Sequence, residues 1–209
     1  MTRQYWKPAN LLNPVPAVLI GCCDNDGNAN VMTAAWAGTV CSDPVMVSVS
    51  IRKERYSHHM IAETGEFTVN LVSRSMAKAA DFAGVRSGRD IDKFAQTGDL
   101  KLTKQKSNMV NAPSVAESPV VLECRVKQII ELGSHDMFIG EVVCTGVHEE
   151  LIDSEGKLDL KKADLVAYSH GEYYALGDYL GKFGFSVRKP RKKKMQKKES
   201  AAAPKRKNG

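Results

Sequence analysis

Basic side chains and a hydroxyl group gather at the end of an apolar stretch, and their chemistry is that of anion binding. Arg52, Lys53 and Arg55 are followed directly by Tyr56 and Ser57. We predict that Ser57 is the N-cap of a short helix. A helix start presents free backbone N–H groups and a partial positive charge, and nearby cations add charge-assisted donors. The sequence therefore predicts a site for a phosphate-like dianion.

Two strands and this helix must position the basic groups. Apolar and polar residues alternate over Val45–Ile51, which indicates a strand, and a second strand is predicted over Val31–Val40. The turn residues Ser42-Asp43-Pro44 separate the two strands. We predict that the helix runs from about His58 to Glu63 and that Gly65 ends it.

Small side chains next to an aromatic ring suggest a surface for a planar ligand. Thr33, Ala34 and Ala35 would let such a ligand lie close to the backbone, and Trp36 could form a wall. A hairpin with a solvated, charged end and a core tryptophan explains the same residues, because capped helices and charged turns are common. The spacing alone leaves both interpretations open.

Several motifs extend this stretch along the chain. They are Asn30–Trp36, Ser42–Ile51, Ser57–Ile61, Gly65–Leu71, Asp81–Gly84, Asp92–Phe94, Leu122–Cys124, Gly133–Val142 and Gly171–Tyr174. In this order they resemble the flavin reductase-like, FMN-binding split-barrel family, and within it the flavoredoxins most. The resemblance covers about residues 8 to 187. It is specific for the fold and for FMN, and much less specific for the electron donor and acceptor.

Short strand-like runs separated by turn signals indicate a mainly β protein, either a barrel or a sandwich. The resemblance narrows this to a split β-barrel with a Greek-key arrangement and a few short peripheral helices. It also implies a homodimer with FMN near the interface. We expect one domain over residues 1–187, in which a helix capped by Ser73 or Ser75 ends at Ala80 and a basic loop follows over Phe82–Phe94.

The resemblance implies cofactor contacts from the predicted phosphate site, from the basic loop Phe82–Phe94 and from Tyr173. Arg52, Lys53, Arg55 and Ser57 would hold the phosphate, many ring contacts would come from the backbone, and Tyr173 would be the aromatic contact. A solvated surface loop and edge packing explain Phe82, Ala83, Lys93 and Tyr173 equally well. The complete set of expected FMN contacts is Asn30, Met32, Thr33, Ala34, Ala35, Trp36, Val49, Ser50, Ile51, Arg52, Lys53, Arg55, Ser57, His58, Phe82, Ala83, Lys93 and Tyr173.

His135 is the one candidate for a catalytic role. It lies in a turn between strands predicted over Val120–Leu132 and Met137–Val147. The family often has a histidine in this turn, near the flavin, where an imidazole could orient a nicotinamide or donate a proton. The residue before it is usually Asp in the family but is Ser134 here, which removes one group that could fix the imidazole. A turn histidine without a catalytic role remains an alternative.

Composition and cysteine content argue against a metalloprotein, a secreted protein and a membrane protein. The chain has 209 residues, 43% of them hydrophobic, which fits one globular domain. Its five cysteines lack metal-type spacing, so we expect buried thiols, no metal site and a reducing, cytoplasmic compartment. We expect neither a signal peptide nor a membrane span, since no run of about 18 apolar residues occurs.

The C-terminal residues 188–209 differ from the rest of the chain. They hold eleven Lys and Arg residues and one Glu, a local net charge of +10, whereas the preceding residues carry a net charge of −4. We predict a disordered tail, because it cannot bury enough apolar surface to order itself. Its charge favours non-specific acidic partners such as nucleic acid, anionic lipid or an acidic redox protein.

Together these features predict an FMN-dependent oxidoreductase that passes electrons from NAD(P)H or a protein donor to flavin or another acceptor. One alternative is a flavin carrier without NAD(P)H activity of its own. The absence of a Gly-rich dinucleotide fingerprint does not separate the two, since reductases of the family lack one as well. The other alternative is a flavin-free interaction protein that acts through its basic tail.

Overall fold

The computed structural model describes residues 1–187, and the predicted basic tail lies outside them. The chain divides into two compact units, Met1–Leu176 and Gly177–Gly209. The first unit contains the sheets and both α-helices. In the second unit, the described residues form a 3₁₀ turn at Phe185–Val187. Neither of the α-helices within residues 1–187 has the length and apolar character needed to cross a membrane.

Antiparallel strands dominate the first unit. Seven of them form one sheet in the order β3-β2-β6-β9-β10-β5-β4, β1 pairs with β11 and β11 with β12, and β7 pairs with β8. The strands are β1 (Val15–Pro16), β2 (Val18–Cys23), β3 (Ala29–Ala34), β4 (Ala37–Ser42), β5 (Val45–Arg52), β6 (Glu66–Leu71), β7 (Lys104–Gln105), β8 (Ser114–Val115), β9 (Val120–Glu131), β10 (His135–Val147), β11 (Val166–Ser169) and β12 (Glu172–Ala175).

The connection between β3 and β4 shows that the large sheet curls into a barrel. These strands occupy the two outer positions of the seven-stranded order, yet only Ala35 and Trp36 join them. Because consecutive Cα atoms are about 3.8 Å apart, so short a link requires the two edges of the sheet to lie close together. The prediction of one strand over Val31–Val40 is therefore wrong: the chain changes its pairing partner from β2 to β5 at this link.

Buried side chains from the large sheet and from the helix α1 (Tyr56–Thr64) fill the barrel. Phe67 and Phe138 are completely buried at its centre, with aliphatic residues of β2 and β5 around them. Phe67 packs directly against the backbone of Gly140, where an added Cβ would lie 2.6 Å from the ring. The predicted long strand pair is confirmed as β9 and β10, and its register shifts twice, which bends the pair.

Two α-helices of nine residues each, α1 (Tyr56–Thr64) and α2 (Ala77–Val85), flank the barrel. The predicted end of α1 is confirmed: Gly65 has a left-handed φ of 69° and its N–H bonds to Ile61 O. Short 3₁₀ helices occupy Arg74–Met76, Gly98–Leu100 and Glu149–Leu151.

Neither predicted serine forms a capping side-chain hydrogen bond, although Ser73 does occupy the N-cap position of the 3₁₀ turn Arg74–Met76 that leads into α2. Arg55 is the N-cap residue of α1, and Ser57 is already inside the first turn. No side-chain cap is formed at Ser73, and α2 continues to Val85 instead of ending at Ala80. The first residues of the predicted loop Phe82–Phe94 are therefore helical. The cause is packing, because Ala79, Ala80 and Ala83 are all buried in the second core cluster.

Candidate functional site

Two adjoining cavities lie where α1, α2 and the β3–β4 link meet. The Trp36 cavity has a volume of about 390 Å³ and the Ser57 cavity about 520 Å³, and Met32, Arg52, Arg55 and Val85 line both. Each is within the size range of small-molecule sites. The Trp36 cavity is also lined by Ala17, Thr33, Ala34, Ala35, Trp36, Ser50, Ile51, Asp81, Gly84, His135, Tyr168, Gly171 and Tyr173. The Ser57 cavity is also lined by Asn30, Glu54, Tyr56, Ser57, Arg86, Ser87, Gly88, Arg89 and Lys93.

The start of α1 forms one wall of the Ser57 cavity. Asn30 Nδ2 donates a 2.8 Å hydrogen bond to Ser57 Oγ, and both side chains are buried, so β3 fixes the position of the first helical turn. The first N–H groups of a helix have no intrahelical acceptor. Arg55, the residue at the N-cap, lines both cavities, and its Nη1 donates to Gly84 O over 2.9 Å. This wall thus presents donors and positive charge, as the sequence predicts.

Lys93 is a buried cation in the same cavity. Only 3% of the residue is exposed, and its Nζ donates to Val31 O (2.7 Å) and to Ala83 O (2.9 Å). The pKa of Lys93 is lowered to about 8, mainly by burial and to a smaller extent by the positive charge of Arg55. An ammonium group has three donors, and two of them tie β3 to α2. Because Lys93 also lines the Ser57 cavity, its ammonium group lies next to any ligand bound there.

The segment after α2 completes the Ser57 cavity. Arg89 donates from Nη1 to Glu54 O over 3.0 Å, and its guanidinium lies 5.5 Å from the centre of the Tyr56 ring. Gly88 passes so close to Asn30 that an added Cβ would lie 2.4 Å from Asn30 Oδ1. The sequence shows a basic, glycine-containing segment here but does not place Gly88 or Arg89 at the site. Their place depends on contacts with residues more than thirty positions earlier in the chain.

Small side chains line the Trp36 cavity as predicted. Thr33, Ala34 and Ala35 lie along it, and Trp36 occupies the short β3–β4 link. Thr33 Oγ1 donates to Ala80 O, and an added Cβ on Gly84 would lie 3.2 Å from Thr33 Cβ. The close approach of α2 to β3 therefore holds one side of this cavity in place.

Tyr173 also lines the Trp36 cavity. Its ring packs edge-to-face against Tyr168, with centroids 5.4 Å apart. The pKa of Tyr173 is raised to about 12, mainly by burial and then by the negative charge of Asp81, which bonds to the hydroxyl. The hydroxyl is therefore protonated near neutral pH and donates to Asp81. The sequence does not single out Asp81, Tyr168 or Gly171 as cavity residues.

His135 begins β10 and lies on the Trp36 cavity. In the strand register it is opposite Arg52. Burial lowers the pKa of His135, and the positive charge of Arg52 adds to this effect. Ser134 Oγ lies 2.8 Å from His135 Nδ1. Ser134 thus lacks the carboxylate that is usual at this position in the family, but its hydroxyl group supplies a contact that can fix the imidazole.

Five of the residues expected at the cofactor do not line either cavity in the part of the chain that the structure describes. Val49 and Ala83 are completely buried in the core, and Phe82 is half-buried on α2. Lys53 pairs instead with Glu131 (2.9 Å) and Asp136 (3.4 Å). His58 Nε2 lies 2.8 Å from Asp136 Oδ2. The alternation of side chains along a strand explains Val49, which points inward between Ser48 and Ser50.

Taken together, the two cavities can accept a flat ring next to an anionic group. The ring would lie on the short side chains of the β3–β4 link, and the anion would meet the α1 start with Arg55, Arg89 and Lys93. Within residues 1–187, no group of three or more His, Cys, Asp or Glu side chains could hold a metal ion. Binding and orienting such a ligand is thus the chemistry that this geometry provides.

A curled antiparallel sheet with such a site at its β3–β4 link defines the class of split-barrel, flavin reductase-like proteins. The chain belongs to this family: residues 12–177 match the flavin reductase like domain.

Solved structures agree with this assignment. The chain is 37% identical to the flavoredoxin of Desulfovibrio vulgaris (Miyazaki F), with a TM-score of 0.81 over 90% of this chain and 100% of that one. It is 29% identical to a flavoredoxin from Methanosarcina acetivorans, with a TM-score of 0.79 and the same coverage. A split barrel domain protein from Shewanella frigidimarina is 29% identical, with a TM-score of 0.74 over 84% of this chain and 89% of that one.

Proposed function

We propose that this protein is an FMN-binding oxidoreductase that takes electrons from NAD(P)H or from a protein donor and passes them to flavin or another acceptor. One observation carries the proposal: a cavity lined by short side chains and a tryptophan adjoins a second cavity at a basic helix start. A flavin mononucleotide has the same two parts, a planar ring and a terminal phosphate. The family and the flavoredoxin structures support the redox assignment.

The donor set fits a phosphate at the Ser57 cavity. Arg55, Arg89 and Lys93 supply charge-assisted donors, and the first N–H groups of α1 add the partial positive charge of the helix end. Lys93 is preorganised, because two carbonyl oxygens already hold its ammonium group. The bound cofactor would supply the hydride and electron chemistry.

The residues of the Trp36 cavity would orient the ring. Thr33, Ala34 and Ala35 leave room beside the backbone, and the rings of Trp36 and Tyr173 limit the space. His135, whose neutral form is favoured by burial and by Arg52, can exchange a hydrogen bond through Nε2 while Nδ1 faces Ser134. In this proposal His135 orients a ring substituent or a nicotinamide and carries no fixed charge near neutral pH.

Titration of apo-protein with FMN and with riboflavin tests the proposal. FMN should bind at least tenfold more tightly than riboflavin, because riboflavin lacks the phosphate. Replacing Arg52 and Ser57 together with Ala should weaken FMN binding far more than deleting residues 190–209. Unchanged FMN affinity in the double variant would remove the phosphate assignment.

Anaerobic addition of NADH or NADPH to the FMN-loaded protein then distinguishes a reductase from an electron carrier. Bleaching within a turnover time indicates a reductase, and His135→Gln should then slow bleaching with little change in FMN affinity. Persistent yellow colour indicates a carrier that another protein reduces, a reading favoured by the likeness to flavoredoxin. A preparation that stays colourless after soaking in FMN contradicts both.

The assembly and surroundings of the protein are also proposals. A homodimer rests on the family resemblance and is tested by analytical ultracentrifugation with and without FMN. Non-specific acidic partners of the basic tail are tested by comparing retention on heparin for the full chain and for the chain without residues 190–209. A cytoplasmic location is supported by five cysteines that all remain free thiols in residues 1–187.

A further inference from the structure

A carboxylate and an imidazole join α1 to β10 just behind the two cavities. His58 Nε2 lies 2.8 Å from Asp136 Oδ2, and their side chains are only 16% and 7% exposed. The His58 ring also packs edge-to-face on Phe138, with centroids 5.2 Å apart. Neither residue lines the Trp36 cavity or the Ser57 cavity. Because water screens this pair little, its geometry is well suited to hold two elements together.

The charge state of Asp136 fixes the direction of this hydrogen bond. Although burial raises the pKa of Asp136, the hydrogen bond from His58 and the charge of Lys53 outweigh it, so the pKa lies below its usual value. The carboxylate is therefore ionised near neutral pH and can only accept. His58 must carry a proton on Nε2. Lys53 Nζ lies 3.4 Å from Oδ1, within ion-pair distance, although the geometry is not that of a hydrogen bond.

Each partner is the direct neighbour of a cavity residue. His58 follows Ser57 in the first turn of α1, and Asp136 follows His135 in β10. In the strand register Asp136 is opposite Ile51, one position from Arg52. The contact therefore spans the turn that connects β5 to α1, from which Arg55 projects. Two backbone hydrogen bonds inside this turn, Arg55 N to Arg52 O (3.0 Å) and His58 N to Arg55 O (2.9 Å), make it compact.

We propose that His58 and Asp136 are a pair of positioning residues that clamps the anion-binding start of α1 to the strand carrying His135. The inference rests on the proposed FMN function and goes beyond it, since neither side chain touches the cofactor. The two side chains of the clamp set the distance between the phosphate donors at the start of α1 and the end of β10 that faces the ring. The β5–α1 turn, the Asn30–Ser57 bond and the contacts of Arg55 and Arg89 hold the helix start to other elements, but none of them joins it to β10.

The test compares FMN with riboflavin in the full chain. His58→Phe keeps an aromatic ring on Phe138 and removes the hydrogen bond, and His58→Gln restores a donor. We expect His58→Phe to weaken FMN binding about tenfold while riboflavin affinity stays within twofold, because only the phosphate depends on the helix start. His58→Gln should recover most of the loss. Thermal unfolding of each apo-variant shows that it is folded.

Lys127→Met supplies the matched control. Lys127 Nζ forms a 2.7 Å ion pair with Glu141, so it also joins β10 to a neighbouring element, the strand β9, but at a position five residues beyond Asp136 in β10. We expect its FMN and riboflavin affinities to match those of the wild type. An equal loss for both ligands in His58→Phe, or no loss for either, would overturn the clamp. If the wild type binds FMN and riboflavin equally tightly, this result contradicts the proposed phosphate site. It then also contradicts the clamp, which rests on that site.

Discussion

Asn30 and Ser57 form a buried hydrogen bond of 2.8 Å that joins the β2–β3 hairpin to the first turn of α1. Both side chains are less than 5% exposed, so neither has water as an alternative partner. The serine is thus not a cap in the usual sense. It is an acceptor that lets β3 set the position of the helix start.

Asn30→Ala should therefore destabilise the apo-protein. The change leaves the buried Ser57 hydroxyl without its donor, which costs about 1–3 kcal/mol. Urea unfolding of the apo-protein measures the loss. Asn25→Ala, at an exposed position of the β2–β3 turn, should change stability by less than about 0.5 kcal/mol. Equal stability of the Asn30 and Asn25 variants would contradict the structural role of this bond.

Gly88→Ala should weaken FMN binding with little effect on the rest of the fold. The new Cβ would lie 2.4 Å from Asn30 Oδ1 and 2.7 Å from Tyr56 Cδ1, so either the segment or these side chains must move. We expect a loss in FMN affinity of about tenfold, measured by fluorescence titration. Gly38→Ala, where nothing lies within 4 Å of the added Cβ, is the control and should bind normally.

The pH dependence of FMN binding should report on Lys93. In the apo-protein the pKa of Lys93 is lowered by burial to about 8. A bound phosphate favours the ammonium form and raises this pKa, so affinity is highest below pH 8 and falls as the pH rises through 8. The phosphate itself stays a dianion in this range, since its second pKa is about 6.

Titrations at pH 7 and pH 9 check this expectation. Lys93→Met should bind FMN more weakly at pH 7 and lose little more by pH 9. Cys22 and Tyr173, with pKa values of about 12, do not titrate in this window. A wild-type affinity that is flat between the two pH values would show that Lys93 does not contact the anion.

Two glycines of β10 should respond differently to the same substitution. Gly140→Ala would place a Cβ 2.6 Å from Phe67 Cζ inside the barrel, whereas at Gly146 the nearest atom is 3.9 Å away. Overpacking a core costs about 1–3 kcal/mol, so Gly140→Ala should lower the free energy of unfolding by that amount. Gly146→Ala should be nearly neutral. Chemical denaturation of both variants measures the difference, and equal effects would place the close contact in doubt.

Local sequence alone determined the elements whose signals are short-range. The long β9–β10 pair follows from alternation and a glycine-containing turn, and Gly65 ends α1 because only glycine adopts its left-handed φ at little cost. The small residues from Thr33 to Trp36 and the cations Arg52 and Arg55 are visible as a candidate site because they are close in sequence. In the folded protein these residues all line the Trp36 cavity.

Tertiary structure alone decided which of these groups meet. Residues 31–40 read as one strand, because alternation does not reveal that the chain changes partners at Ala35 and Trp36 as the sheet closes. Likewise Ser57 resembles a cap, and only the packing of β3 against α1 turns it toward Asn30. The Gly88–Asn30 contact, the Arg89–Glu54 bond and the His58–Asp136 contact join residues that are 58, 35 and 78 positions apart. Such pairings depend on the closure of the barrel, which no local pattern encodes.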